Sequence, residues 1–344
     1  MTRRPSPRGV RLKDIARRGD VSLATVSRVL RGDGADRFSP ETRRRVLDAA
    51  RELGWVPNRL VQGIQTGRTG TVGVLALPLP GHWQSLLESA HAELLAHETV
   101  PLALYPRYEA AGTSELAQLR QMMERRVDAI ACWPLVDPAA AGYLVELCAQ
   151  QVPVITIDFE LPAGGRRVTS VRTRESTGMN AALKHLATLG HRRVGYLGVQ
   201  TPDAWATHRR DAFTRAAARR KLEPAFVHDV PKHHPPALDP LRRLLRQATA
   251  VVAGSEQLAL VAWELARESA IRVPGDLSIV AFGQPRADYP IWPHFTVVDQ
   301  RPELLGREVA RLLLSPASTD APAFIDVDPV LVPGRTTASP GGPA

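Results

Sequence analysis

The residues best placed to do chemistry lie near the N-terminus, where SLATVSRVLR (22–31) sets hydroxyls and arginines at helical spacing. Val26, Val29 and Leu30 repeat the interval of a buried helix face, which turns Leu23, Ala24, Ser27, Arg28 and Arg31 to the other side. Clustered guanidinium groups on an exposed helix suit a polyanion. A short helix of this kind docks in the major groove of duplex DNA with its N-terminal residues at the base edges. A plain three-helix bundle with a solvated basic face is the competing reading of the same pattern.

The elements that must position this helix are legible on either side of it. In RLKDIARR (11–18), Leu12, Ile15 and Ala16 share one face, and Gly19-Asp20 ends that helix. Ser22 stands where an N-cap is wanted, so two short helices and their turn form a helix-turn-helix. After the Gly/Asp-rich loop 32–37, Ser39-Pro40-Glu41-Thr42 supplies an N-cap, a proline at N1 and an acid in the first turn. Val46, Leu47, Ala50 and Leu53 follow at core spacing, and Gly54 closes the third helix. The predicted module spans residues 10–56.

Charge is distributed to match. Residues 1–68 hold 16 Lys and Arg against seven Asp and Glu, whereas residues 69–344 hold 28 of each sign. The whole net charge of +9 therefore sits in the first 68 residues, a basic module joined to a neutral body. A solvated basic tail is the alternative that composition leaves open.

The body alternates apolar runs with helix-like stretches. Strands are predicted at 71–78, 99–105, 128–133, 153–158, 166–171, 193–198, 225–230, 249–253, 277–282 and 323–328. Helices are predicted at 83–97, 113–126, 138–150, 175–189, 208–221, 237–247, 256–270 and 301–314. This order reads as α/β with parallel sheets and right-handed crossovers, long enough for two lobes with a ligand at the carboxyl ends of the strands. The termini, 2–9 and 338–344, are expected to be disordered.

Several function classes are disfavoured. No run approaches the ~18 apolar residues of a membrane span, and MTRRPSPRGV has no apolar region of a secretory signal. Cys132 and Cys148 make no disulfide framework and read as ordinary thiols of a reducing cytoplasm. GxSxG, GxxxxGK[ST], HExxH and a strand-following GxGxxG are all missing, so catalysis is not expected. His233 and His234 lie in a Pro-rich loop without partnering ligands; neither a metal nor a cofactor is expected.

The segments LKDIARRGDVSLATVSRVLRG, SPETRRRVLDAARELGWVPNRL and TGRTGTVGVL together resemble the lactose/galactose-repressor family of bacterial transcription regulators. The likeness continues through LKHLATLGHRRVGYLG (183–198), VPGDLSIVAFG (273–283), FTVVDQRPELLGREVARLLL (295–314) and LVPGRTT (331–337). It implies an all-α helix-turn-helix domain (10–56), a hinge helix with linker (57–69), and a two-lobed, periplasmic-binding-protein-like core (70–338). Lobe 1 would span about 70–170 and 298–325, and lobe 2 about 171–297 and 326–338.

By the same resemblance Leu23 and Ala24 choose the operator sequence, through thymine methyls or by excluding other bases, because neither can hydrogen-bond. Arg28 falls on an arginine whose planar fork suits guanine O6 and N7, with a phosphate contact as the alternative. Ser22, Thr25, Ser27, Thr42 and Asn58 are expected phosphate contacts. Arg31 replaces a customary Asn, exchanging a base contact for a phosphate contact, and Asp20 replaces a customary turn glycine. In the hinge, Val61 is an expected DNA contact and Ile64 falls on the apolar wedge that opens a central base step. The histidine of LGHRR, His191, is structural in the family.

In the cleft, Arg209 matches the family's effector-binding arginine. The usual polar residues are replaced by Arg172-Thr173, Ser255-Glu256 and Gly283-Gln284, which argues against a neutral monosaccharide. Two readings stand side by side. Arg172 and Arg209, with Glu256 and Gln284 nearby, make a cationic cleft for an anionic sugar derivative; or the cleft has lost its ligand and Arg172 pairs with Glu256. Trp83 either stacks on the ligand or belongs to the core. The resemblance implies a cytoplasmic, nucleoid-associated homodimer that binds double-stranded operator DNA, usually as a repressor, under a small-molecule effector. A small-molecule-binding protein or diverged sugar enzyme with an accessory basic module is the alternative.

Overall fold

A computed structural model of the chain describes residues 10–31, 37–56, 67–76, 81–109, 112–133, 135–161, 168–201, 204–231, 238–283, 294–315 and 323–341. The chain divides at Gly67/Arg68 into two compact units.

The first unit consists of α1 (Leu12–Gly19), α2 (Leu23–Arg31) and α3 (Pro40–Glu52). Ile15, Val26, Val29, Val46, Ala49 and Ala50 form its buried centre, with Leu12, Ala16, Leu30 and Leu53 packed around them. Leu47 departs from expectation: it is 41% exposed, and Ala49 occupies the inward position. Asp20 holds the turn between α1 and α2 in the left-handed region (φ 51°, ψ 52°), the conformation a glycine would take without steric cost. Ser22 Oγ accepts from Thr25 N at 3.0 Å, and Ser39 Oγ accepts from Thr42 N at 3.2 Å. The two caps fix where α2 and α3 begin. An Arg18–Glu52 ion pair at 2.5 Å ties α1 to α3.

The second unit carries two six-stranded sheets. The first runs β13 (Phe324–Val327), β7 (Thr169–Thr173), β6 (Val154–Ile157), β5 (Ile130–Cys132), β1 (Thr71–Leu75), β2 (Val100–Leu104). The second runs β14 (Val330–Val332), β12 (Thr296–Asp299), β11 (Ser278–Phe282), β10 (Ala250–Ala253), β8 (Arg193–Gln200), β9 (Glu223–Pro231). All neighbours are parallel except β14, which runs antiparallel to β12. A small hairpin, β3 (Tyr108–Glu109) and β4 (Gly112–Thr113), completes the strands. β3, β4, β12 and β14 were not anticipated from sequence; each has only two to four residues, too short to show a period.

Both sheets are covered on both faces, as parallel sheets require. α4 (His82–Ala96) and α11 (Pro302–Leu314) pack together over one face of the first sheet. They approach closely at Gly306, where a Cβ would stand 2.3 Å from the Leu86 carbonyl oxygen. α5 (Glu115–Glu124) and α6 (Pro138–Ala149) cover the other face. On the second sheet, α7 (Glu175–Thr188) and α8 (Ala204–Arg219) cover one face, and α9 (Leu238–Leu245) and α10 (Glu256–Glu268) the other. No helix among the described residues is long and apolar enough to cross a membrane.

The chain crosses between sheets just after Thr173, Asp299 and Val327. The boundaries expected at 170/171, 297/298 and 325/326 each fall inside a strand, because pairing of β7 with β13 and of β12 with β14 carries the chain two or three residues further. Near the C-terminus, Ala338 is ordered rather than disordered. His191 is buried and bonds Thr249 Oγ1, Ser278 Oγ and the Ala338 carbonyl, which also explains its structural place in LGHRR.

Candidate DNA-reading surface and ligand cleft

α2 is amphipathic in the sense its sequence requires. Val26 and Val29 face the interior, while Ser22, Leu23, Ala24, Arg28 and Arg31 are exposed and Thr25 and Ser27 half-buried. Leu23 is 53% exposed, so its side chain is open to an apolar group of a partner. Arg28 makes no hydrogen bond or ion pair with another described residue, whereas Arg31 Nε donates to the Ser27 carbonyl at 3.2 Å. The Ser22 and Thr25 hydroxyls bond each other at 2.8 Å. Two hydroxyls sharing one bond leave one proton free to donate outward. Thr42 pairs likewise with Ser39 at 2.9 Å. Asn58, Val61 and Ile64 lie outside the described residues.

In the second unit a cleft opens at the carboxyl ends of the strands. Asp158, Phe159 and Glu160 follow β6, Arg172 and Thr173 end β7, Glu175 opens α7, and Trp205 and His208 lie on α8. Beneath them Arg209 is only 4% exposed. Its Nε and Nη2 donate to the two carboxylate oxygens of Glu175, both at 2.6 Å, and Nη1 donates to the Gly254 carbonyl at 2.5 Å. The Trp205 and Phe282 rings lie 4.8 and 4.4 Å from the guanidinium carbon. Burial works against its charge, and Glu175 more than offsets that, so its pKa stands above the ordinary value.

The cationic cleft expected from sequence is therefore corrected. Arg172 does not pair with Glu256; its Nε donates to Asp326 at 2.6 Å and its Nη1 to Glu160 at 2.9 Å. The topology makes this pair, since β13 lies beside β7 with Asp326 opposite Arg172. Trp83 is 8% exposed and sits edge-to-face with Trp133 in the first sheet's core, so the core reading holds for it. Glu256 opens α10 under a Ser255 cap, with Oε2 only 2.8 Å from where a Cβ on Gly283 would lie. Gly283 itself has φ 80°, so its lack of a side chain serves both the turn and the carboxyl beside it. Gln284 lies outside the described residues. Sequence reasoning missed Asp158, Glu160, Glu175 and Trp205; their one visible signal was position, immediately after a strand or at the start of a helix.

Two carboxyls here are far from their ordinary state. Burial first, then the neighbouring Glu175, pushes Asp158 up to about 7, and burial pushes Glu256 up to about 7. Between the usual carboxylate range and about pH 7 the fold thus binds protons that the unfolded chain has released. Their stabilising contribution is present at low pH and is lost as pH rises through about 7. Thermal denaturation of the cleft-bearing unit is expected to show a Tm that falls from about pH 4 to about pH 7 and levels off above that. The double variant Asp158→Asn, Glu256→Gln should flatten that slope; an unaltered slope would contradict the assignment.

A helix-turn-helix with an outward basic face, joined to a two-sheet unit with a cleft at its strand ends, is the build of a ligand-responsive transcription regulator. Residues 11–58 match the model described as bacterial regulatory proteins, lacI family, and residues 183–337 match the periplasmic binding protein-like domain. The chain is 32% identical over 297 residues to an uncharacterized HTH-type transcriptional regulator in the aml 5' region of Streptomyces limosus, covering 80% of this chain and 79% of that one. It is 26% identical over 340 residues to the lactose operon repressor of Escherichia coli (strain K12), covering 96% and 91%. Among solved structures, a lac repressor dimer bound to operator and the anti-inducer ONPF superposes with a TM-score of 0.80 at 23% identity, covering 96% of this chain and all of that one. The chain belongs to the lacI family: it is a transcriptional regulator with a DNA-binding helix-turn-helix domain and an effector-binding domain.

Proposed function

We propose that this regulator is a repressor that binds a pseudo-palindromic operator as a homodimer, its DNA affinity set by a small molecule in the cleft of the second unit. The observation that carries the reading is the outward face of α2, where Leu23, Ala24, Arg28 and Arg31 are exposed while Val26 and Val29 are buried. A single α2 reads a half-site, so symmetry-related copies read inverted halves. The lac repressor structure similar to this chain is itself a dimer on operator with a small molecule bound. Leu23, Ala24 and Arg28 meet base edges; Ser22, Thr25, Ser27, Arg31, Thr42 and Asn58 meet phosphates; and Val61 and Ile64 of the hinge enter the minor groove. The protein acts in the cytoplasm on the nucleoid and catalyses no reaction. The relatives reported above are regulators rather than enzymes.

Arg28→Ala tests the readout. It is expected to cost about 1–3 kcal/mol on the cognate site and to relax preference at one guanine per half-site, measured by titrating duplexes with single base changes. An equal loss on every sequence would reduce Arg28 to a phosphate contact.

A further inference from the structure

The cleft's electrostatics point to a ligand class, an inference that rests on the reading of this cleft as the effector site. We propose that the effector carries a positively charged alkyl amine, held by the carboxyl of Asp158 against the Phe159 and Trp205 rings.

The Arg209 guanidinium has no surplus charge for an anion, because Glu175 neutralises it. Three of its five N–H groups are committed to Glu175 and Gly254, and the Trp205 and Phe282 ring centres lie 4.8 and 4.4 Å from its guanidinium carbon. Arg172 is shared by Glu160 and Asp326, and Arg174 by Asp326 and Asp328. What remains is acidic surplus: Asp158 and Glu256 both sense Arg209, whose charge Glu175 already cancels. Asp158 Oδ1 accepts from Thr173 N at 2.8 Å, and its second oxygen has no hydrogen bond with any described residue. Asp158 also takes φ 55°, a strained left-handed conformation for a residue that lines a cleft.

Two further side chains wait for a partner, independently of the acids. Trp205 lines the cleft with its Nε1 shut off from solvent and unbonded. His82, which opens α4 beyond the carboxyl end of β1, is 7% exposed with neither ring nitrogen bonded. Burial first, then Arg209, lowers its pKa to about 3, so the ring is neutral and one nitrogen is an acceptor. Buried polar groups are ordinarily satisfied, and the Trp205 N–H lacks an acceptor, which a second, oxygen- or nitrogen-bearing group of a ligand in the cleft would supply. An ammonium group donates to a carboxylate such as Asp158 and is attracted to aromatic faces such as those of Phe159 and Trp205.

Binding must then follow the ionisation of Asp158. The charges facing that carboxyl are Glu175 and Arg209 from α7 and α8, Arg172 from β7, and Glu160 from its own loop, with His208 across the cleft. An alkyl amine stays protonated over this range, so its affinity is expected to rise about tenfold from about pH 6 to about pH 8 as the competent anion becomes the major form.

The test uses the full-length protein and isothermal titration with 6-amino-6-deoxyglucose, glucose, glucuronate and putrescine. Binding of either amine, with the stated pH dependence, is the expected result. Tighter binding of the amino sugar identifies a carbohydrate source, and tighter putrescine a linear polyamine. Asp158→Asn keeps the acceptor for Thr173 N. It should weaken amine binding about tenfold at about pH 8 and remove the pH dependence. Glucose or glucuronate binding as tightly as the amines would overturn the amine class while leaving the cleft as effector site. No heat from either amine at millimolar concentration would overturn it too, and operator binding, measured separately, judges the reading beneath it.

Discussion

Deleting residues 1–67 is expected to abolish sequence-specific retardation of duplex DNA, a loss of at least about 10³-fold, while leaving a folded remainder. The net charge of +9 resides in residues 1–68, and the rest of the chain is balanced. The cleft-bearing unit begins at Arg68 and has apolar cores on both faces of both sheets, so its folding does not depend on the deleted residues. Circular dichroism and a cooperative thermal transition should persist in the truncated protein. The intact protein should lose DNA affinity linearly in log–log terms as salt rises, because each phosphate contact releases counterions. Retardation of the same duplex by the truncated protein would place the DNA surface elsewhere.

Glu175→Ala is expected to destabilise the second unit by about 3–5 kcal/mol, because it strands the Arg209 charge in a buried site. Its remaining direct contacts, the Gly254 carbonyl and two aromatic rings, carry no formal charge, and Asp158 and Glu256 sense it without bonding it. Urea unfolding should show the loss as a lower midpoint. The double variant Glu175→Leu, Arg209→Met should recover most of it, since replacing a buried pair by apolar groups of similar size is frequently neutral. A single-variant cost under about 1 kcal/mol would mean that water reaches the guanidinium.

The two units differ in how much their sequences disclosed. In the first unit the residues that start, stop and orient the helices act locally. Caps at Ser22 and Ser39, the break at Asp20 and the spacing of Val26 and Val29 lie within a few residues of what they organise. Only Leu47 misled, because the periodicity of α3 admits Leu47 or Ala49 and size favours the wrong one. In the second unit the long strands and the eight helices among the described residues are legible in the sequence as runs and periods, but the cleft is not. Arg209 is recognisable by its match to the family's effector-binding arginine, yet its counter-ion lies 34 residues upstream on another helix. Arg172 finds Asp326 154 residues away, only because β13 joins the first sheet beside β7. Charge balance in a cleft is a property of topology, so the same two arginines that suggested an anion site in one dimension are neutralised in three.

Selection from a pool of random duplexes by the full-length protein, followed by sequencing of the bound fraction, tests the central claim most directly. The expected result is enrichment of two inverted half-sites with a guanine in each that Arg28→Ala ceases to select. Recovery of a pool without a common site, or of one unrepeated half-site alone, would contradict a dimeric regulator that reads sequence through α2.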